Sequence, residues 1–118
     1  MATAKTQPTL IVFYKPGSKT SQDTLIVTEA LYQRYQGKAT ILPLAIHEPP
    51  NKAIDQRNAL KFNVPIFDGR EVYSRYQVES YPQFFLVDTK GNLRWKFDAG
   101  IGLEVGHLIK EQIEKVLK

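Results

Sequence analysis

The stretch Leu10-Ile11-Val12-Phe13-Tyr14-Lys15-Pro16-Gly17-Ser18-Lys19-Thr20-Ser21 decides how this chain is read. Thr9 to Tyr14 is a continuous apolar run of β-branched and aromatic residues, the pattern of a strand covered on both faces. Pro16-Gly17 ends it, because proline carries no N–H for a ladder and the pair favours a turn. From Ser21 to about Tyr35, Val27, Leu31 and Tyr35 recur at helical spacing with Ile26 and Ala30 alongside. One apolar helix face is therefore expected, stopped by Gly37. Ser18 to Ser21 thus stands where a buried strand gives way to a helix N-terminus. Ser and Thr are favoured there for a local reason, since their hydroxyls cap free helix N–H groups.

Working outward, Ala39 to Ile46 reads as a second buried strand, closed by Pro49-Pro50, which cannot continue a central ladder. A second helix is expected from about Asn51 to Phe62. Asn63-Val64-Pro65-Ile66-Phe67 is an extended segment, and Glu71 to Tyr76 can form a short helix before Val78-Glu79-Ser80-Tyr81-Pro82. Gln83 to Val87 is a strand that turns through Asp88-Thr89-Lys90-Gly91-Asn92 into a hairpin partner, Leu93 to Phe97. Val105, Leu108, Ile109, Ile113, Val116 and Leu117 recur at helical spacing and predict a C-terminal amphipathic helix laid on the sheet. The order β-α-β-α-β-β-α places the chain in the α/β class.

Composition bounds the function. At 118 residues the chain has the length of one domain, enough to bury roughly two-thirds of its unfolded surface. Residues 1–8 read as a flexible N-terminus and 9–118 as the domain. Hydrophobic residues at 42% and charged residues at 24% are ordinary for a soluble globular protein. The net charge of +4 is spread along the chain without a basic block, which argues against nucleic acid as a partner. There is no cysteine, hence no disulfide framework and no thiolate metal site, and His47 and His107 are too far apart in sequence for a zinc site. No apolar run approaches the roughly 20 residues of a membrane span, and Met1 to Pro8 lacks the charged-then-apolar pattern of a signal peptide. A soluble chain or an excised domain is expected, without membrane insertion.

Four linked features then carry a resemblance to the thioredoxin superfamily, and within it to the TlpA/ResA type of bacterial thiol-disulfide oxidoreductase, over about Leu10 to Leu117. Lys15-Pro16-Gly17-Ser18-Lys19-Thr20-Ser21 is similar to the Lys-Pro-Gly-Cys-x-x-Cys loop of small relatives, with Ser at both cysteine positions. Tyr81-Pro82 matches the family's cis-proline. Phe84-Phe85-Leu86-Val87-Asp88-x-x-Gly91 is similar to the family hairpin. Glu48, in Ala45-Ile46-His47-Glu48, matches the acidic residue that ResA-like proteins hold near their cysteines. The resemblance implies a thioredoxin-like fold, a central mixed sheet of four or five strands flanked by helices, with Ser18 to Ser21 opening the first helix and Pro82 opposite.

It also implies roles. In relatives the first cysteine sits at a helix N-terminus, whose N–H groups and dipole lower its pKa below about 8.5. Ser18 and Ser21 take the two redox positions without the sulfur chemistry, because a hydroxyl stays protonated where a thiolate must attack. Gly17, Lys19, Tyr81 and Pro82 would line the substrate groove, with Tyr81 in place of the usual Thr or Val. Glu48 would exchange a proton during thiol chemistry if desolvated near Ser18; the alternative is a solvated loop charge. The implied partner is a cysteine-containing protein or peptide outside the cytoplasm, with no cofactor and no metal.

Three readings of the same residues stay open: an oxidoreductase domain with both cysteines exchanged for Ser, an inherited redox-dead relative that binds polypeptide, and an anion site at the helix N-terminus helped by Lys15 and Lys19. Gly17-Ser18-Lys19-Thr20 only echoes a phosphate-binding loop, because the glycines that loop needs are Phe13 and Ser18 here. Neither histidine can be placed beside Ser18 for a Ser-His-Asp triad. Trp95 reads as hairpin packing, and Tyr73, Tyr76 and Tyr81 as aromatic packing near the groove edge.

Overall fold

The computed structural model describes residues 7–15, 21–46, 51–69, 83–97 and 105–117, with the backbone alone at positions 21, 52 and 105. Every residue of β1 (Thr9–Tyr14) is buried, as an apolar run without alternation requires. It pairs parallel with β2 (Thr40–Ala45) and antiparallel with β4 (Gln83–Val87), so that Leu10 lies opposite Ile41 on one side and Leu86 on the other. With β3 (Phe67–Asp68) and β5 (Leu93–Phe97) these strands form a five-stranded mixed sheet in the order β3-β2-β1-β4-β5.

Proline inside β2 is tolerated for a specific reason. Thr40 N–H donates to the Pro8 carbonyl and Ile46 N–H to the Tyr14 carbonyl, so the even-numbered residues of β2 bond towards β1. Pro43 directs its nitrogen to the other side, where β3 pairs only with Leu44 and Ala45, and no bond to β1 is lost. Beside that pairing, Gly69 N–H donates to the Ala45 carbonyl at 2.7 Å. A Cβ at Gly69 would stand 2.6 Å from Leu44 Cβ, so this close approach of two backbones requires glycine.

Helices α1 (Ser21–Arg34) and α3 (Val105–Leu117) cover one face of the sheet. There Leu10 and Val12 of β1, Val27 and Leu31 of α1, Phe84 and Leu86 of β4, and Ile109 and Ile113 of α3 share one core cluster. Truncating one of its fully buried Leu or Ile side chains to Ala costs about 2–5 kcal/mol. Tyr35, just past α1, donates its hydroxyl to Glu114 of α3 at 2.6 Å, and burial followed by this bond pushes its phenol up. The opposite sheet face carries Ile11, Phe13, Leu44, Ile46 and Phe85, with Phe13 and Phe85 edge to face at 5.7 Å. Trp95 stacks on Phe97 at 5.6 Å and 10°, both packed against the first cluster.

The extended segment ending at Phe67 runs into a fifth strand over Phe67–Asp68, short and with exposed side chains. Three expectations are corrected. Helix α2 is Asn51–Ala59 and stops before Phe62, because Lys61 takes a left-handed φ of 59°. Lys61 N–H then bonds the Asn58 carbonyl and Phe62 N–H the Arg57 carbonyl, the paired bonds that close a helix through a left-handed residue. In α1 the buried face is shifted: Thr24, Leu25, Thr28 and Glu29 are buried, while Ile26 is half-buried and Ala30 exposed. In α3, Ile109 and Ile113 face the core, but Leu108 and Leu117 are exposed. The short helix expected from Glu71 to Tyr76 lies outside the described residues.

Candidate functional site

The site expected around Ser18 begins where β1 ends. Tyr14 closes that strand and α1 starts at Ser21, so a short connection joins the carboxyl end of the central strand to a helix amino end. N–H groups unpaired within the helix and the positive end of its dipole gather at such a terminus. The neighbouring strands converge on the same end of the sheet. Ile46 N–H is bonded to the Tyr14 carbonyl at 3.0 Å, and Gln83, the first residue of β4, pairs with Phe13. In the sequence Ser18 follows Tyr14, Glu48 follows Ile46, and Pro82 immediately precedes Gln83. The structure thus brings together the three points of attachment from which the expected site residues depart.

Of those residues, Ser21 is placed, as the first residue of α1, through its backbone alone. Gly17, Ser18, Lys19, Glu48, Tyr81 and Pro82 lie outside the described residues, as do His47, Tyr73 and Tyr76.

The described wall next to this end is apolar with one polar tip. Tyr14, Leu25, Ala45, Ala53 and Ile66 form a cluster of their own, which joins β1, α1, β2, α2 and the segment before β3. Tyr14 is 1% exposed, and its hydroxyl has no hydrogen-bond partner among the described residues. Burial pushes its phenol well above the usual tyrosine range, against a partial pull from the Arg57 guanidinium. This buried phenol hydroxyl is held at the end of the strand that leads towards Ser18 in the sequence.

A polar clamp fixes the segment behind that wall. Glu29, buried on α1, accepts the backbone N–H groups of Asn63 and Val64 on one carboxylate oxygen, each at 2.9 Å. Its other oxygen accepts Gln33 Nε2 at 2.7 Å. Arg57 of α2 donates from Nη1 to the Val64 carbonyl at 3.2 Å. Both polar groups of the Val64 backbone are thus satisfied by side chains, as a buried segment outside regular structure requires. Thr28 Oγ1 donates to the Thr24 carbonyl at 2.6 Å, which lets a second hydroxyl sit inside the helix layer.

Sequence reading missed Tyr14, Glu29 and Arg57 as site-supporting residues. The available signal at Tyr14 was a polar-tipped residue ending an otherwise apolar strand directly before the serine loop. For Glu29 it was a carboxylate next to the apolar stripe of α1. The backbone partners of Glu29, Asn63 and Val64, lie more than 30 residues away, beyond any local pattern. A larger groove, about 620 Å³, lined among others by Tyr32, Ile41, Leu42 and Phe67, opens beside β2 and includes no residue of the β1–α1 connection. Among the described residues no group of three His, Cys, Asp or Glu side chains is placed to hold a metal ion. No described helix is long and apolar enough to cross a membrane.

No protein-family model and no curated protein sequence matches the chain. Solved structures do. A thiol:disulfide interchange protein of the thioredoxin family from Chlorobium tepidum superposes with a TM-score of 0.82 at 11% identity, over 99% of this chain and 84% of that one. StoA from Bacillus subtilis gives 0.75 at 17% identity, over 90% and 81%. A secreted Mycobacterium tuberculosis disulfide oxidoreductase homologous to Escherichia coli DsbE gives 0.75 at 11% identity, over 97% and 85%. The chain therefore has the thioredoxin-like fold. The solved structures it is similar to include disulfide-exchange proteins, whereas this sequence contains no cysteine.

Proposed function

We propose that residues 9–118 form a single domain of thiol-disulfide oxidoreductase type that cannot exchange disulfides, because Ser18 and Ser21 occupy the two redox positions. One observation carries this reading: a cysteine-free chain adopts a fold shared with thiol:disulfide interchange proteins. Disulfide exchange requires a thiolate that attacks one sulfur of the substrate and expels the other. A serine hydroxyl at a helix N-terminus keeps its proton, so the mixed disulfide at position 18 and its resolution from position 21 are both closed.

Recognition is the function that remains. Gly17, Lys19, Tyr81 and Pro82 would flank an extended, cysteine-containing protein or peptide, and Glu48 would be the proton-transfer group of a thiol-bearing parent. The secreted relative in structure supports an extracytoplasmic setting. The second reading, an inherited binding module that never exchanged disulfides, is favoured by the absence of cysteine throughout the chain. A dithiol-driven disulfide-reduction assay tests the proposal. The chain itself should show no turnover, and Ser18→Cys/Ser21→Cys should acquire it. Turnover by the unaltered chain would refute the reading, and an inert double variant would favour the binding module.

A further inference from the structure

Helix α1 buries Thr24, Thr28 and Glu29 alongside Leu25, Val27 and Leu31, and leaves the apolar Ile26 half-buried and Ala30 exposed. These two residues and Leu31 line an open groove of about 350 Å³ between α1 and α3, together with Arg34, His107 and Lys110. Among the described residues, every ionisable side chain lining it is basic, and His107 and Lys110 also border the adjoining groove that contains Glu111 and Glu114. Lys110 and His107 make no ion pair with a described residue. The nearby acids of α3 do not line the groove, and one of them, Glu114, is engaged by the Tyr35 hydroxyl at 2.6 Å. Arg34 lies over the Tyr35 ring at 5.8 Å, which holds its guanidinium at the end of the groove.

We propose that this groove docks an acidic amphipathic helix of a partner polypeptide. Aliphatic side chains one turn apart on that helix would rest on Ile26, Ala30 and Leu31, and flanking carboxylates would meet Arg34, His107 and Lys110. The complementarity has a sign: an apolar floor rewards any hydrophobe, while the Arg34 and Lys110 cations favour an acidic helix over a basic one. An open trough between two packed helices accepts the i, i+4 ridge of a third. The groove lies along the helix layer and uses no residue of the β1–α1 connection, so the proposal stands apart from the disulfide-exchange reading.

The test uses the isotope-labelled chain and a peptide of roughly 16 residues, long enough to form a helix, with Leu at i, i+4 and i+7 and Glu at the positions flanking that stripe on either side. A control peptide carries Lys in place of every Glu. Amide shifts should concentrate between Ile26 and Arg34 and between Gly106 and Lys110, with the Lys peptide bound at least about tenfold more weakly. Arg34→Glu/Lys110→Glu should invert that preference with the fold retained by circular dichroism; Lys110→Glu alone should narrow it if the double variant unfolds. Equal binding of both peptides, shifts centred elsewhere, or occupation by dodecanoate but not by the Glu peptide would overturn the proposal.

Discussion

Glu29 on α1 reaches across to Val64, 35 residues further along, and accepts its backbone N–H at 2.9 Å. The same oxygen accepts Asn63 N–H, so one buried carboxylate positions the chain that enters Ile66 and β3. Glu29→Ala should cost about 3 kcal/mol, the loss of charge-assisted bonds plus donors left buried without partners. Glu29→Gln should cost less, since one acceptor oxygen remains. Urea unfolding measures both, and a loss under about 0.5 kcal/mol for the alanine variant would show the clamp to be idle.

Lys61 holds a left-handed φ of 59° at the end of α2, a conformation that costs an L side chain roughly 1 kcal/mol and glycine almost nothing. Lys61→Gly should therefore raise stability by up to about 1 kcal/mol. A lower melting temperature would mean that the lysine side chain contributes more than its backbone strain removes.

Gly69→Ala should act in the opposite direction. The added methyl would meet Leu44 Cβ at 2.6 Å, in a strand pairing that is already two residues long. A destabilisation of about 1–3 kcal/mol is expected, with amide exchange accelerated first at Phe67 to Gly69.

Asp88 organises the hairpin between β4 and β5. Its Oδ1 accepts Lys90 and Asn92 N–H, each at 2.9 Å, with Gly91 at a φ of 86°. The Asn92 N–H above all, with the Lys90 N–H and Arg94, holds its carboxyl below the usual aspartate range. Its contribution is complete above the unfolded pKa of about 3.9 and disappears as pH falls through the lower folded value. Stability should consequently fall more steeply below about pH 4 in the unaltered chain than in Asp88→Asn. Parallel pH curves for the two would contradict this assignment.

Much of the fold was legible because its signals are local. β1 announced itself as a continuous apolar run, α1 opened at Ser21 after Pro16-Gly17, and the hairpin carried its own Asp-Gly turn. What escaped local reading depends on partners distant in sequence. β3 has exposed side chains and exists through Leu44 and Ala45. Thr28 and Glu29 are polar residues whose burial is permitted by hydrogen bonds that no periodicity displays. α2 ended early through the left-handed conformation of Lys61, at a position where glycine or asparagine is the usual signal. For the candidate site, Ser18, Glu48 and Pro82 are read from the sequence alone and lie outside the described residues, while the structure shows Tyr14, Ile46 and Gln83, near them in sequence, at one end of the sheet.

If the proposed function holds, the scaffold keeps the electrostatics of disulfide exchange and lacks only its sulfurs. The first measurement is the titration of the thiol introduced at position 18 in Ser18→Cys/Ser21→Cys, with the reduction potential of the pair. A thiol that ionises well below about 8.5 and a disulfide that opens and closes reversibly are expected on that reading. A thiol of ordinary pKa with no stable disulfide would contradict it and leave a binding module of the same fold.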